Sequence, residues 1–369
     1  MRLLSLEVAN YRNIAAAQLE PGRELTVICG NNGQGKTNLL EAIWLLTGGK
    51  SFRGGKDAEL VRRGEPFAVL EASTLRAQQE EQEPDEPNRV RLTVGTPDSQ
   101  RPGRYASVNG AAPRRAAGLA GSFPAVVFDP GHLSLVKGSP EGRRRFLDAA
   151  LCQLYPGYVT LLRRYSRLVT QKNALLKSYW QTPDANGLLD VFDEKLAESG
   201  AAVSAKRQEY LALIEPEITG TYRDIASGSE TLAIQYEPSF EPEKGLAPVL
   251  RESRARDIAA GFCTAGPHRE DFSISIDGRA AKVFASQGQQ RSAVLSLKLA
   301  EAAGAQKITG EHPVMLLDDV LSELDETRQS YLLSRMEHRQ TIVTACDPDL
   351  FRRTSGRVYR MEGGILHAL

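Results

Sequence analysis

The sequence predicts an α/β protein. A mixed sheet around a phosphate-binding loop is flanked by an antiparallel β meander and interrupted by an inserted α-helical hairpin. Three observations carry that prediction. Gly30-Asn31-Asn32-Gly33-Gln34-Gly35-Lys36-Thr37 reads G-x-x-x-x-G-K-T and lies between an apolar run, Glu24–Cys29, and a helix-like stretch, Asn38–Leu46. A second apolar run, Pro313–Leu317, ends in Asp318-Asp319 near the other end of the chain. Between the two, from Tyr158 onward, apolar residues recur every three or four positions.

The bulk composition bounds what this fold can be doing. A chain of 369 residues is long enough for a large core and two domains. Lys+Arg and Asp+Glu number 46 each, so bulk charge argues neither for nor against nucleic acid, and any polyanion site must be a local patch. Cys29, Cys152, Cys263 and Cys346 are far apart and form no C-x-x-C. That spacing suggests neither a zinc site nor a disulfide framework, and points to reduced thiols in a cytoplasmic protein. Met1–Val8 is too short and interrupted for a signal peptide, and no apolar run approaches the roughly 20 residues of a membrane span.

Taken in order, Leu3–Ala9 alternates as a strand, Asn10–Asn13 breaks it, and Pro21-Gly22 turns the chain into the loop strand. In the phosphate loop, Gly33 and Gly35 let successive N–H groups converge on one anion, and the following helix adds its N-terminal partial charge. Lys36 is placed to reach the β/γ-phosphates and the Thr37 hydroxyl to ligate Mg²⁺. Gly48-Gly49 ends the helix. Lys50–Lys56 is a basic, glycine-containing loop, either a solvated turn or a phosphate or DNA contact. Phe67–Leu75, Val90–Val94 and Tyr105–Val108 are strands of the meander, with a turn at Asn109-Gly110 and an acidic, solvated, mobile loop at Gln78–Pro87.

Ala125–Phe128 is a further buried strand running into Asp129-Pro130-Gly131-His132. Ser139-Pro140-Glu141 opens a helix that carries Arg143, Arg144 and Arg145. The period from Tyr158 to Tyr179 and again from Leu189 to Leu213, across the turn Thr182–Gly187, predicts two antiparallel helices of about 25 residues, each roughly 35–40 Å long. Arg163, Arg164, Arg167 and Lys172 read as outward charges on this arm. A strand at Thr231–Tyr236 and a helix at Ala247–Ala260 close the region. Phe272–Ile276 then turns at Asp277-Gly278 and pairs back with Lys282–Phe284. Ala285–Gln290 precedes a helix from Arg291 to about Ala303, and a strand follows at Thr341–Ala345. This places the nucleotide domain at residues 1–138 and 264–369, with a helical arm at 139–263 inserted between its halves.

A carboxylate at the end of a buried strand, as at Asp318, can hold the Mg²⁺ that bridges nucleotide phosphates, and Asp319 at the strand edge can serve as base for water. Tyr11-Arg12-Asn13, GNNGQGKTNLLEAI, SFRGG, LVKGSPEGRRRFLD, GPHRED, SQGQQRS and LLDDVLSELD together resemble the ABC-type ATPases, and among them the structural-maintenance/Rad-type group that acts on DNA. The resemblance spans essentially the whole chain. It implies an ABC-type ATPase head with ATP and Mg²⁺ as cofactors. By that likeness, Gly30, Asn31, Asn32, Gly33, Gln34, Gly35, Lys36 and Thr37 cradle the phosphates, and Thr37 and Asp318 hold the metal. Lys36, Asp318 and Asp319 carry the chemistry. Ser286, Gly288 and Gln289 match the signature motif, Ser322–Asp325 the D-loop and Arg53 the arginine loop. Arg12 and Asn13 stand where the group approaches its nucleotide.

Three departures imply slow turnover: Gln287 replaces the first signature glycine, Asp319 is shorter than the usual glutamate, and Ala345 stands where transporters carry a switch histidine. No glutamine marks a Q-loop near Asp129–His132; His132 can serve there or be a surface-loop histidine, the preferred reading. One phosphate loop and one signature per chain imply an ATP-dependent homodimer with two nucleotides between two chains. The group's recombination mediators further imply binding to gapped or junction duplex DNA without sequence preference, partnership with RecR, placement of RecA on single strands, and a nucleoid-associated protein. Lys50, Arg53, Lys56, Arg62, Arg63 and the arm arginines are the DNA-contact candidates. A transporter's ATPase subunit, an ABC-type nuclease and a non-hydrolysing clamp are the rival readings. Ala345 with the long arm, the lack of a His/Asp-rich cluster, and the intact Lys36, Asp318 and Asp319 disfavour them in turn.

Overall fold

The computed structural model describes residues 1–76, 86–112, 114–346 and 356–369. Most of the acidic segment read as a mobile loop (residues 78–85 of it) lies outside them. A mixed six-stranded sheet runs in the order Ile365–Ala368, Arg357–Glu362, Leu25–Cys29, Thr341–Ala345, Val314–Asp318, Ala125–Phe128, and is parallel apart from its terminal hairpin. Apart from the half-buried Leu25, four of its strands, Leu25–Cys29, Thr341–Ala345, Val314–Asp318 and Ala125–Phe128, are buried throughout, which is why they read as apolar runs. Because they are parallel, Cys29, Phe128, Asp318 and Ala345 finish at one edge, and the segments that follow each of them meet there. Helix Lys36–Leu45 is buried almost all round, since a second sheet covers its other side.

That second sheet is antiparallel, in the order Ile14–Leu19, Arg2–Tyr11, Phe67–Leu75, Asn88–Gly95, Gly103–Val108, Arg114–Arg115. Alternating burial, as in Phe67–Leu75, turns Ala68, Leu70 and Ala72 into the core and leaves the other face to water. The meander thus includes the three expected strands, and the N-terminal hairpin belongs to it. On the opposite face of the mixed sheet, Leu295, Leu299 and Ala302 of helix Gln287–Thr309 pack on Val126, Met315, Leu317 and Val343.

The arm differs from its expected dimensions. Its helices are Tyr158–Lys177, 20 residues, and Ala185–Ile225, 41 residues, so at 1.5 Å per residue they run roughly 30 and 60 Å. The second continues past Leu213 because Ile214, Ile218 and Tyr222 extend the apolar stripe and pack into the same core as helix Gln287–Thr309. The expected helix over Ala247–Ala260 is two short ones, Leu246–Glu252 and Arg254–Ala260, broken at Ser253.

Two local expectations are corrected by packing. Lys172 does not point outward: it is fully buried, 2.8 Å from Asp193 and 2.9 Å from Asp257. The i, i+3/i+4 positions around it face the second arm helix, so the stripe carries it inward with its neighbours. Lys282–Phe284 does not pair back. After Asp277-Gly278, which both have positive φ as this tight turn requires, only Arg279-Ala280 pairs with Ser275-Ile276. Ala281 is then drawn into the core and the chain coils into a helical turn, Ala281–Phe284.

A third, three-stranded sheet pairs Leu232–Glu237 with Asp271–Ile276, so it joins the two sides of the residue 263/264 division. The GPHRED segment, Gly266–Asp271, fastens this junction. Arg207 donates to the Pro267 carbonyl at 2.7 Å, Arg144 to that of Glu270 at 2.7 Å, and Arg143 grips Asp271 through two 2.7 Å bonds. The buried Glu270 carboxylate accepts from Ser204, Tyr236 and Ser239. Each of these buried charges is partnered, so the segment works as a clasp between arm and head.

Candidate functional site

The phosphate loop, Gly30 to Thr37, curls from the end of its strand onto the N-terminus of the helix that follows. Gly30 has φ +142° and sits on the Met361 carbonyl, where a Cβ would collide. Gly35 has φ +116°, and a Cβ there would stand 2.9 Å from Asn13 Oδ1. Both positions therefore need glycine. The Lys36 ammonium folds back into the loop and donates to the carbonyls of Gly30 at 2.6 Å and Asn31 at 3.1 Å. Beside it an open pocket of about 450 Å³ is lined by Gly30, Asn31, Gln34, Cys346 and Arg360, among others.

The sheet brings Asp318 to this loop across 281 residues: Thr37 Oγ1 donates to Asp318 Oδ1 at 2.9 Å. Thr344, paired with Asp318 in the neighbouring strand, donates to the same oxygen at 2.8 Å. Burial raises the Asp318 pKa, the nearby Asp129 and Asp319 charges push the same way, and the two threonine bonds oppose them. Between the unfolded value and the raised one, the folded chain therefore holds a proton that the unfolded chain has released. Metal-free protein is expected to lose stability as pH rises from the unfolded carboxylate value, about 3.9, through the raised one, and Asp318→Asn should remove that slope. Thermal melts across the acid-to-neutral range check this; parallel curves for the two proteins would refute it.

Thr37 and Asp318 fit a magnesium ion: two oxygen donors side by side, with the remaining positions left to phosphate and water. Among the described residues there is no cluster of three or more His, Cys, Asp or Glu side chains that could hold a metal on its own. Asp319 follows with φ +53°, a left-handed conformation that is costly for a non-glycine residue. Its N–H bonds to Thr344 Oγ1 at 3.0 Å, its carbonyl accepts from Ser322 Oγ at 2.7 Å, and its carboxylate lies 3.8 Å from Cys346 Sγ.

Arg12, Asn13 and Arg53 converge beside the loop through residues the sequence reading did not single out. Glu41, fully buried one turn beyond Thr37, is gripped by two guanidinium nitrogens of Arg12, by Tyr11 Oη at 2.8 Å and by Ser51 Oγ. Burial alone would raise its pKa, but these bonds and the Arg12 charge hold it below the ordinary value. Asn38 links Asn13, at 2.7 Å, to Arg53, at 2.6 Å, and Asn13 also donates to the Gln34 carbonyl at 3.1 Å. Glu41 and Asn38 lie one turn apart on the helix, a spacing visible in the sequence. Their partners come from other strands and loops and are not.

Ser286, Gly288 and Gln289, read from the sequence as the signature, stand at the start of another helix. Ser286 caps helix Gln287–Thr309 in a reciprocal pair with Gln289, its Oγ accepting from Gln289 N at 3.2 Å and its N–H donating to Gln289 Oε1 at 2.8 Å. The helix thus begins four residues before the expected Arg291. Gln289 also donates to Glu230 at 2.8 Å, and Gly288 lies against Arg328. Among the described residues, Ser286, Gly288 and Gln289 make no hydrogen bond to the phosphate loop of their own chain. His132 forms a capping pair with Asp129, accepting from Asp129 N at 3.0 Å through Nδ1. In the D-loop, Asp325 caps helix Glu326–Ser334 by accepting from Arg328 N at 3.0 Å.

Residues 2–364 match the family model described as the RecF/RecN/SMC N-terminal domain. The DNA replication and repair protein RecF of Heliobacterium modesticaldum is 38% identical over 99% of both chains, and that of Shouchella clausii 37% identical over 98% of this chain and all of the other. The chain belongs to the RecF family. A solved recombination mediator protein RecF–ATPrS of the RecFOR pathway superposes with a TM-score of 0.90 at 33% identity, covering 100% of this chain and 98% of that one. An Smc head domain from Pyrococcus furiosus superposes at 0.54 with 15% identity, which speaks to the fold alone. The RecF-family architecture is thus an ABC-type ATPase head, and no helix among the described residues is long and apolar enough to cross a membrane.

Proposed function

We propose that this chain is an ATP-dependent DNA-binding recombination mediator that dimerises on ATP and binds gapped or junction duplex DNA. In this reading it acts with RecR to place RecA on single strands, and slow hydrolysis resets the dimer. The observation that carries the reading is the Thr37–Asp318 contact, which assembles a phosphate loop and a metal-binding carboxylate from opposite ends of the chain. The named relatives, RecF proteins of DNA replication and repair, and the RecF–ATP complexes of similar fold support it.

When bound, Mg²⁺–ATP supplies the phosphoanhydride bond and the γ-phosphate charge. Lys36 and the loop N–H groups bind the phosphates, with Thr37 and Asp318 on the metal. The Asp319 carboxylate takes a proton from water; one methylene shorter than glutamate and on a strained backbone, it favours slow turnover. Ser286 and Gly288, exposed or half-buried and away from their own loop, complete the site of a second chain. Closing two chains on ATP joins their basic edges into one DNA-binding surface.

Sedimentation and duplex binding with ATP, with ADP and without nucleotide test the reading. The expected result is dimer formation, and tighter DNA binding, with ATP alone. A monomer that binds DNA equally in all three states would sink it.

A further inference from the structure

The stretch from Asn88 to Ser122 contains six arginines, no lysine and a single carboxylate, Asp98, in a chain whose overall charge is zero. The fold places five of these arginines on the last three strands of the antiparallel sheet and Arg101 in the connection before Gly103–Val108. Two are already neutralised: Arg91 pairs with Glu71 at 2.9 Å, and the buried Arg104 with Asp57 at 3.2 Å. Arg101, Arg114 and Arg115 are exposed and have no acidic partner among the described residues. The guanidinium carbons of Arg101 and Arg115 lie 5.5 and 4.6 Å from the centre of the same ring, Tyr105. Two like charges on one ring repel each other, and an anion between them removes that repulsion.

Resting on the reading of this chain as a DNA-binding protein, we infer that this sheet edge around Tyr105 docks the phosphate backbone of duplex DNA through Arg101, Arg114 and Arg115. The Tyr105 ring holds two forked donor groups in place, so less side-chain entropy is lost when phosphate binds. Beside it on the solvent face, Ser107 stands opposite Arg91 and Thr93 opposite Tyr105, while the exposed Phe67 lies farther along, opposite Gly95. The edge is also continuous with the basic loop beside the nucleotide site. Gly48 packs against the Ala116 carbonyl, Arg104 donates to the Gly49 carbonyl, and Trp44 Nε1 holds the Lys50 carbonyl at 2.8 Å. These contacts seat the loop that carries Arg53 and Lys56 against the inner side of the same strands.

The test is fluorescence anisotropy of the full chain on a labelled duplex with ATP, over a salt series. Each phosphate contact contributes about 0.9 to the slope of log K against log salt, so Arg101→Gln/Arg114→Gln/Arg115→Gln should lower it by roughly 2 to 3. Each single variant should lower it by about one third of that, and the three Arg→Lys replacements should keep it. ATP binding and melting temperature should stay as in the parent chain. An unchanged slope in the triple Gln variant, with the parent still binding duplex, overturns the surface but leaves the proposed function standing. A parent chain that binds no duplex in any nucleotide state overturns both.

Discussion

Lys36→Met abolishes ATP-dependent association, whereas Ser286→Arg leaves ATP binding intact and removes association alone: this is the expected result if each site is shared between two chains. Lys36 is the loop's own cation and is nearly buried, its ammonium held by the Gly30 and Asn31 carbonyls. Methionine keeps the length and loses the charge. A charge-assisted hydrogen bond is worth about 1.5–3 kcal/mol, so ATP should bind roughly 10- to 150-fold more weakly. Ser286 is exposed and caps its helix. Arginine there costs about 1 kcal/mol of capping, too little to unfold the head, and in the proposed dimer places bulk and charge against the other chain's phosphate. Nucleotide titration and sedimentation on both variants separate the two effects. Normal ATP-dependent dimers from the Ser286 variant would show that the signature assignment is wrong.

Lys172→Met should destabilise the arm by about 3–5 kcal/mol, the usual cost of stranding a buried charge. The ammonium is fully buried between Asp193 and Asp257, which join both arm helices and the short helix Arg254–Ala260. Its removal leaves two buried carboxylates facing each other. Asp193 retains Arg254 at 2.7 Å, while among the described residues Asp257 keeps the Thr264 N–H and hydroxyl and the Ser253 hydroxyl. Adding Asp257→Asn to Lys172→Met should therefore recover part of the loss. Arg167→Met, at an exposed position of the same helix, should stay within about 0.5 kcal/mol of the parent. Denaturant unfolding of the four proteins checks this; equal loss from Arg167→Met and Lys172→Met would show that the triad contributes nothing.

The phosphate loop was legible because its signal is contiguous: eight residues whose φ values and N–H directions follow from local glycines and the helix start. The strand–acid run at Asp318 was legible for the same reason. Thr344 was not, since a threonine in a buried strand reads as a strand former until the register sets it on Asp318. Glu41 was passed over because a charge in a helix looks solvated until a second sheet covers that face. Lys172 misled in the same way: its position in the apolar stripe already placed it inside, and only Asp193 and Asp257, distant in sequence, made that burial tolerable.

Residue identity and short-range spacing determined by themselves the elements, the phosphate loop, and the family they resemble. These depend on dihedral preference and on side-chain period, which act over a few residues. The parallel order of the sheet decided that four strand ends share one edge, so that Thr37 meets Asp318. Tertiary packing also decided that Ser286, Gly288 and Gln289 make no hydrogen bond to the phosphate loop among the described residues, and that Arg101 and Arg115 meet over Tyr105. Such proximities are set by strand pairing and core burial across hundreds of residues, and no local pattern encodes the distance between two charges that only folding brings together.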